Sequence, residues 1–190
     1  MSHPVVDLVV DAAYRPVSNQ EYSDSGNGGL LHKRARILGN VLVQRQCFVD
    51  RFALIRGDLA KISFGNSVFV GEDVVVHAPM VSRDAASLEP IPVQFGDYIS
   101  IGKGTMCEAA AAGSCVVIGQ GCVIGSRATI GSCVVIKDNT VVPPSAALGS
   151  YGIYEGNPVR RVGDLPLDCA MEIIREAVVR KISGHVVVQQ

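Results

Sequence analysis

The sequence predicts a mainly β chain, a parallel β-helix of hexapeptide repeats with one C-terminal α-helix packed along it. Three observations carry that reading. Small apolar residues recur at an interval of six, at Ala112, Ile118, Ile124, Ile130, Ile136 and Val142. The residue two places before each is also small or branched: Ala110, Val116, Cys122, Ala128, Val134 and Thr140. Aromatic residues make up only 5% of the chain and tryptophan is absent, although 48% of the residues are apolar. A period of six fits neither a heptad nor an ordinary amphipathic helix. It fits a solenoid in which short strands wrap into stacked coils. Residues i−2 and i share one face of a strand, so both sets point inward and form a ladder through the core. A narrow prism filled by Ile, Val and Ala has no room for large rings. Glycine follows four of the six residues, as in Ile118-Gly119 and Ile130-Gly131. There it is expected to let the chain turn without a Cβ penalty.

Taken in order, residues 1–28 read as a polar N-terminal segment, with a turn-rich loop at Ser23-Asp24-Ser25-Gly26-Asn27-Gly28-Gly29. The β-helix is expected over residues 29–157. Leu38-Gly39 is its first repeat, with irregular coils through Cys47, Phe48 and Leu54, then Phe64-Gly65, Val70-Gly71 and Val76 in phase. The period lapses over residues 78–94, which should leave the solenoid as a protruding loop. Phe95-Gly96 and Ile101-Gly102 resume it, with one residue lost before Ala112. Pro143-Pro144 marks the last repeat. Residues 158–190 follow, holding a turn and a helix over about 168–182, with Asp168 as its N-cap and Gly184 as its stop. Met171, Ile174, Val178 and Ile182, widened by Ile173 and Ala177, give that helix its apolar stripe.

Charge and cysteine usage narrow the function. Lys plus Arg total 17 against 18 for Asp plus Glu, a net charge of −1, which leaves no electrostatic footprint for nucleic acid. No apolar run reaches membrane-spanning length, so direct membrane insertion is not expected. Met1–Tyr14 carries Asp7 and Asp11 and no basic leader, so it does not read as a signal peptide. The six cysteines, at 47, 107, 115, 122, 133 and 169, include no Cys-x-x-Cys pair, and reduced thiols in the cytoplasm are the expectation. Cys115 and Cys133 lie 18 residues apart, one full coil of a three-sided solenoid. They should stack at about 4.8 Å as reduced neighbours on the coil surface. Cys122 should fill core.

Ile55-Arg56-Gly57-Asp58, then Phe64-Gly65-Asn66-Ser67 and His77, resemble the opening of the γ-class carbonic anhydrase-like left-handed β-helices. The resemblance puts His77 at that family's first zinc-ligand position. Lys103 and Glu108 occupy the other two histidine positions, and Gly71 the place of the assisting glutamine. A catalytic zinc wants three protein donors and an open position, and a lysine ammonium donates no lone pair. No metal, no cofactor and no catalytic residue are therefore expected; an ion pair between Lys103 and Glu108 is expected instead. Arg56 and Asp58 should tie neighbouring coils or protomers together. Gly156-Asn157-Pro158-Val159-Arg160-Arg161 is similar to a turn of the hexapeptide acyltransferases. His3, His32 and His185 lie outside the repeats with no catalytic signature beside them. A γ-carbonic anhydrase-like or acyltransferase-like enzyme is the alternative reading.

A further resemblance runs over roughly residues 21–182. Glu21-Tyr22 with Ser25-Gly26-Asn27, Ile55-Arg56-Gly57-Asp58-Leu59-Ala60, Ile136-Lys137-Asp138-Asn139-Thr140-Val141-Val142-Pro143-Pro144 and Gly163-Asp164-Leu165-Pro166 carry it. By these the chain resembles the dynactin subunit 5 family. The resemblance implies a non-catalytic, cargo- and adaptor-binding subunit of the dynactin pointed end, in the cytoplasm and on the cytoskeleton, supporting dynein-driven transport on microtubules. It implies dynactin subunit 6, other pointed-end subunits and dynein cargo adaptors as partners, with a homo-oligomer possible in isolation. Arg56, Asp58, Asp138 and Asn139 are the interface or structural residues of this reading.

Overall fold

The computed structural model describes residues 9–10, 22–24, 29–84 and 87–187. The turn-rich loop at 23–29 falls largely outside them. From Leu30 the chain winds as a three-sided prism. Its first face stacks the strands Leu30–His32, Phe48–Val49, Phe69–Val70, Ile99–Ile101, Val116–Ile118, Val134–Ile136 and Gly152–Glu155 in parallel. Its second face carries Val75–His77, Met106–Cys107, Val123–Ile124 and Val141–Val142, and its third Val93–Phe95, Ala111–Ala112, Thr129–Ile130 and Ala147–Leu148. Two long strands, Arg36–Val43 and Leu54–Phe64, bend from the second face onto the third, with a shift of register between Gly39 and Val41. At the N-terminal end Val9–Val10 pairs antiparallel with Arg36–Val43 and Tyr22–Asp24 with Leu30–His32, and at the other end Arg160–Asp164 pairs antiparallel with Gly152–Glu155.

Register makes each repeat its own neighbour. Val116 pairs with Val134, Ile118 with Ile136, Ile124 with Val142 and Ile130 with Leu148, so like side chains stack through the interior. Ala112, Ile118, Ile124, Ile130, Ile136 and Val142 all lie in one buried core. The few rings follow the same rule. Phe64 stacks on Phe95 at 4.9 Å and Phe48 on Phe69 at 5.3 Å, nearly coplanar because in-register strands hold them parallel.

The corners are built differently from the sequence expectation. Gly113, Gly119, Gly125 and Gly131 are not the left-handed residues. Those fall two places further on, at Cys115 (φ 58°), Gly121, Arg127, Cys133, Asn139, Ser145 and Tyr151. Each tight corner is held by a backbone bond to the preceding coil, such as Asn139 N to Gln120 O at 2.8 Å. The glycines serve close approach instead: a Cβ on Gly119 would sit 2.6 Å from the backbone nitrogen of Asp138. A second corner device is a side-chain column. Asp97 accepts from Asn66 N, Ser114 from Asp97 N, Ser132 from Ser114 N and Ser150 from Ser132 N, at 2.6 to 3.2 Å. These side chains satisfy corner amides that the strand ladders cannot reach.

The segment expected as a loop over 78–94 contains a paired hairpin, Met80–Asp84 with Ser87–Pro90. It lengthens that coil so that Phe69 pairs with Ser100, whereas Ile99 pairs with Val116 and Val116 with Val134.

The helix, α1, runs from Ala170 to Val187. It begins two residues after Asp168 and passes through Gly184, which therefore does not stop it. Ala170, Ile174 and Val178, with Ile182 at the edge, pack on Tyr98, Cys115, Val117, Cys133, Val135 and Tyr151 of the first face. Met171 and Ile173 are about half exposed, so the buried arc starts one residue earlier than the expected stripe. Cys115 and Cys133 are consequently roofed by the helix rather than lying on the coil surface. Two cations fasten the edges of α1. Arg175 lies 4.6 Å above the Tyr98 ring, and Lys181 lies 4.4 Å above Phe69 and donates to Ser100 Oγ at 3.0 Å.

Candidate functional site

The side chains singled out for chemistry gather on the second face. Arg56 aligns with His77, and Val76 with Cys107, so Glu108 stands one coil beyond His77. His77 Nε2 lies 3.1 Å from Glu108 Oε1 and its Nδ1 lies 3.3 Å from Ala78 O, so both ring nitrogens face protein oxygens. Lys103 does not join them. Its Nζ donates to Glu72 Oε2 at 2.8 Å, while Arg51 Nε donates to Glu72 Oε1 at 2.8 Å. The expected Lys103–Glu108 pair is thus replaced by two others, because Glu72 occupies the corner between Arg51 and Lys103 on successive coils. Backbone bonds from Asp73 N to Arg51 O and from Gly104 N to Glu72 O hold that stack.

Electrostatics follow the geometry. The Arg51 guanidinium and the Lys103 ammonium hold the Glu72 carboxyl below its ordinary value, and Glu72 holds Lys103 above its own. A carboxylate depressed on folding contributes stability above its unfolded value of 4.5 and loses it as pH falls through the lower folded value. The difference in urea midpoint between wild type and Glu72→Gln is therefore expected to be present at pH 6 and to shrink on acidification. A difference unchanged down to pH 3 would contradict this pairing.

The donor set does not fit a catalytic zinc. Lys103 is fixed as an ammonium, which has no free lone pair. Cys107 points into the core, where burial pushes its thiol up to about 12. Among the described residues no cluster of three His, Cys, Asp or Glu side chains could hold a metal ion. His77 with Glu108 supplies two donors, one short of the usual three.

Arg56 and Asp58 pair with each other inside the strand Leu54–Phe64, at 2.9 Å from Nη2 to Oδ2 and 3.3 Å from Nε to Oδ1. Of the expected tie between coils or protomers, the coil half is replaced by a bond within one strand, and both side chains are left partly exposed. Asp138 does bridge coils, since its Oδ1 accepts from Gln120 N at 2.8 Å, and Asn139 takes the adjacent left-handed corner.

One feature of the second face escaped the sequence reading. Leu54, Val75, Met106, Val123 and Val141 are cross-strand partners in turn, forming an outward apolar row along the prism. Met106 and Val123 are 44% and 42% exposed. The Arg51–Glu72–Lys103 corner flanks the row on one side and His77–Glu108 on the other. A signal was available: from Val75 on, each member directly precedes an inward residue, as in Val75-Val76, Met106-Cys107, Val123-Ile124 and Val141-Val142.

Comparison with known proteins adds the following. The family model of dynactin subunit 5 matches residues 16–185. Dynactin subunit 5 of Dictyostelium discoideum is 30% identical over 96 residues, 50% of this chain and 48% of that protein. An uncharacterised protein of the same organism is 31% identical over 85 residues, 45% of this chain and 33% of that protein. The matches thus span half or less of these relatives' lengths. Among solved structures, a hexapeptide transferase family protein from Anaplasma phagocytophilum aligns with a TM-score of 0.65 at 17% identity, covering 79% of this chain and 82% of that one. AntD, an N-acyltransferase from Bacillus cereus, aligns with a TM-score of 0.64 at 15% identity, covering 82% and 89%. At such identities these structures establish the β-solenoid fold and nothing about chemistry.

Proposed function

This chain belongs to the dynactin subunit 5 family, and from that premise we propose that it is a non-catalytic attachment subunit of the dynactin pointed end. It supports dynein-driven transport along microtubules by holding neighbouring subunits and cargo adaptors. The observation that carries this reading is the fate of the three ligand positions. Lys103 is tied to Glu72 and His77 to Glu108, so polar groups that would serve chemistry are engaged in fastening coils together. What the second face offers instead is a flat, rigid apolar row, Leu54 to Val141, between paired charges. A row of this kind suits burial against another subunit. We take its occupant to be a second dynactin solenoid subunit, dynactin subunit 6, whose flat sheet would meet this one face to face. The same reading carries a cytoplasmic, cytoskeleton-associated location. No helix among the described residues is long and apolar enough to cross a membrane.

The competing reading is a zinc hydratase. Protein purified without chelator is expected to hold far less than one zinc per chain and to leave CO2 hydration at the uncatalysed rate. Stoichiometric zinc together with activity abolished in His77→Ala would overturn the attachment reading.

A further inference from the structure

Beneath α1 two thiols stand in register. Cys115 and Cys133 take the same corner of successive coils, both in the left-handed region, with Val134 N donating to Cys115 O at 3.2 Å. Both thiols belong to one buried cluster beneath α1, with Tyr151 packed against it. Both are 1% exposed and both are free thiols. Cys115 Sγ faces the Met171 carbonyl of the helix at 3.9 Å. Their roof is a small satellite cluster of Ala170, Ile174 and Val178, apart from the main core, so local lifting of α1 gives access without unwinding the solenoid.

We propose that Cys115 and Cys133 form a two-thiolate site for one soft monovalent cation, copper(I). The spacing is suitable: stacked coils repeat at about 4.8 Å, and two metal–sulfur bonds of about 2.3 Å each, set in line, span nearly that distance. The ligand chemistry selects the metal, because thiolates favour copper(I) among biological cations and two donors fall short of the four that structural zinc takes. Binding breaks two S–H bonds, forms two metal–sulfur bonds and releases two protons, with no change of oxidation state. The product carries one negative charge. Arg175, anchored over Tyr98 and donating to its hydroxyl at 3.3 Å, supplies the opposite charge. Burial raises both thiols, Cys115 to about 11, so occupancy must compete with protons and tighten as pH rises. This site is independent of the attachment reading.

The test presents copper(I) as its bicinchoninate complex, without oxygen, to the reduced full chain. One copper per chain should transfer, more completely at pH 8 than at pH 6. Cys115→Ser and Cys133→Ser should each weaken retention at least 100-fold, while Cys169→Ser, which alters the exposed cysteine, should not. Iodoacetamide mapping of the unmutated chain keeps the proposal falsifiable if a variant fails to fold. Copper should protect Cys115 and Cys133 from alkylation on partial unfolding. No transfer, transfer that survives in both variants, or protection confined to Cys169 would each overturn the site.

Discussion

Ile124→Ala is expected to lower the unfolding free energy by about 3 kcal/mol. Ile124 is fully buried and lies in one stack with Val76, Cys107 and Val142. Removing it opens a cavity between coils that cannot collapse, because the coils are pinned on both sides. Glu108 N donates to Ile124 O at 3.0 Å and Gly125 N to Val142 O at 2.8 Å. Shortening the adjacent Val123, whose side chain faces solvent, should move stability by no more than about 0.5 kcal/mol. Urea denaturation of Ile124→Ala and Val123→Ala measures the contrast. Equal losses at the two positions would break the inward–outward alternation on which the prism rests.

Met106→Asp combined with Val123→Asp is expected to release the chain from its proposed dynactin neighbours, with at least a tenfold loss of co-purified partner and a smaller fall in melting temperature than Ile124→Ala causes. Both side chains face solvent in the free chain, so their replacement opens no cavity. In an apolar interface the same two carboxylates would be buried without partners, a large penalty against association. The charged columns on either side remain intact in this variant, which isolates the apolar row. Partner recovery equal to wild type would move the attachment surface to another part of the molecule.

The fold was legible because in-register stacking sets each repeat against its equivalent one coil away, so the six-residue period reports three-dimensional neighbours directly. Ser114, Ser132 and Ser150 carry the same information at 18-residue spacing, and their column could have been read from it. The Glu72–Lys103 pair could not. Its partners are separated by the coil that contains the hairpin, whose added length breaks the 18-residue rule. The burial of Cys115 and Cys133 depends on where α1 lands, a tertiary choice that the helix sequence leaves open. Met171 and Ala170 differ by one position in the stripe, and packing against the corner of the first face selects Ala170. The role of the four glycines that follow ladder residues is hidden from the sequence for a similar cause. A clash with the backbone of the next coil is invisible in one repeat taken alone.

Affinity purification of the full chain from its native cells, with mass-spectrometric identification and stoichiometry of what accompanies it, tests attachment most directly. Dynactin subunits, dynactin subunit 6 among them, should be recovered near one per chain and remain through size exclusion. A chain that elutes free of every dynactin component, under conditions that keep the rest of the complex whole, would contradict the account.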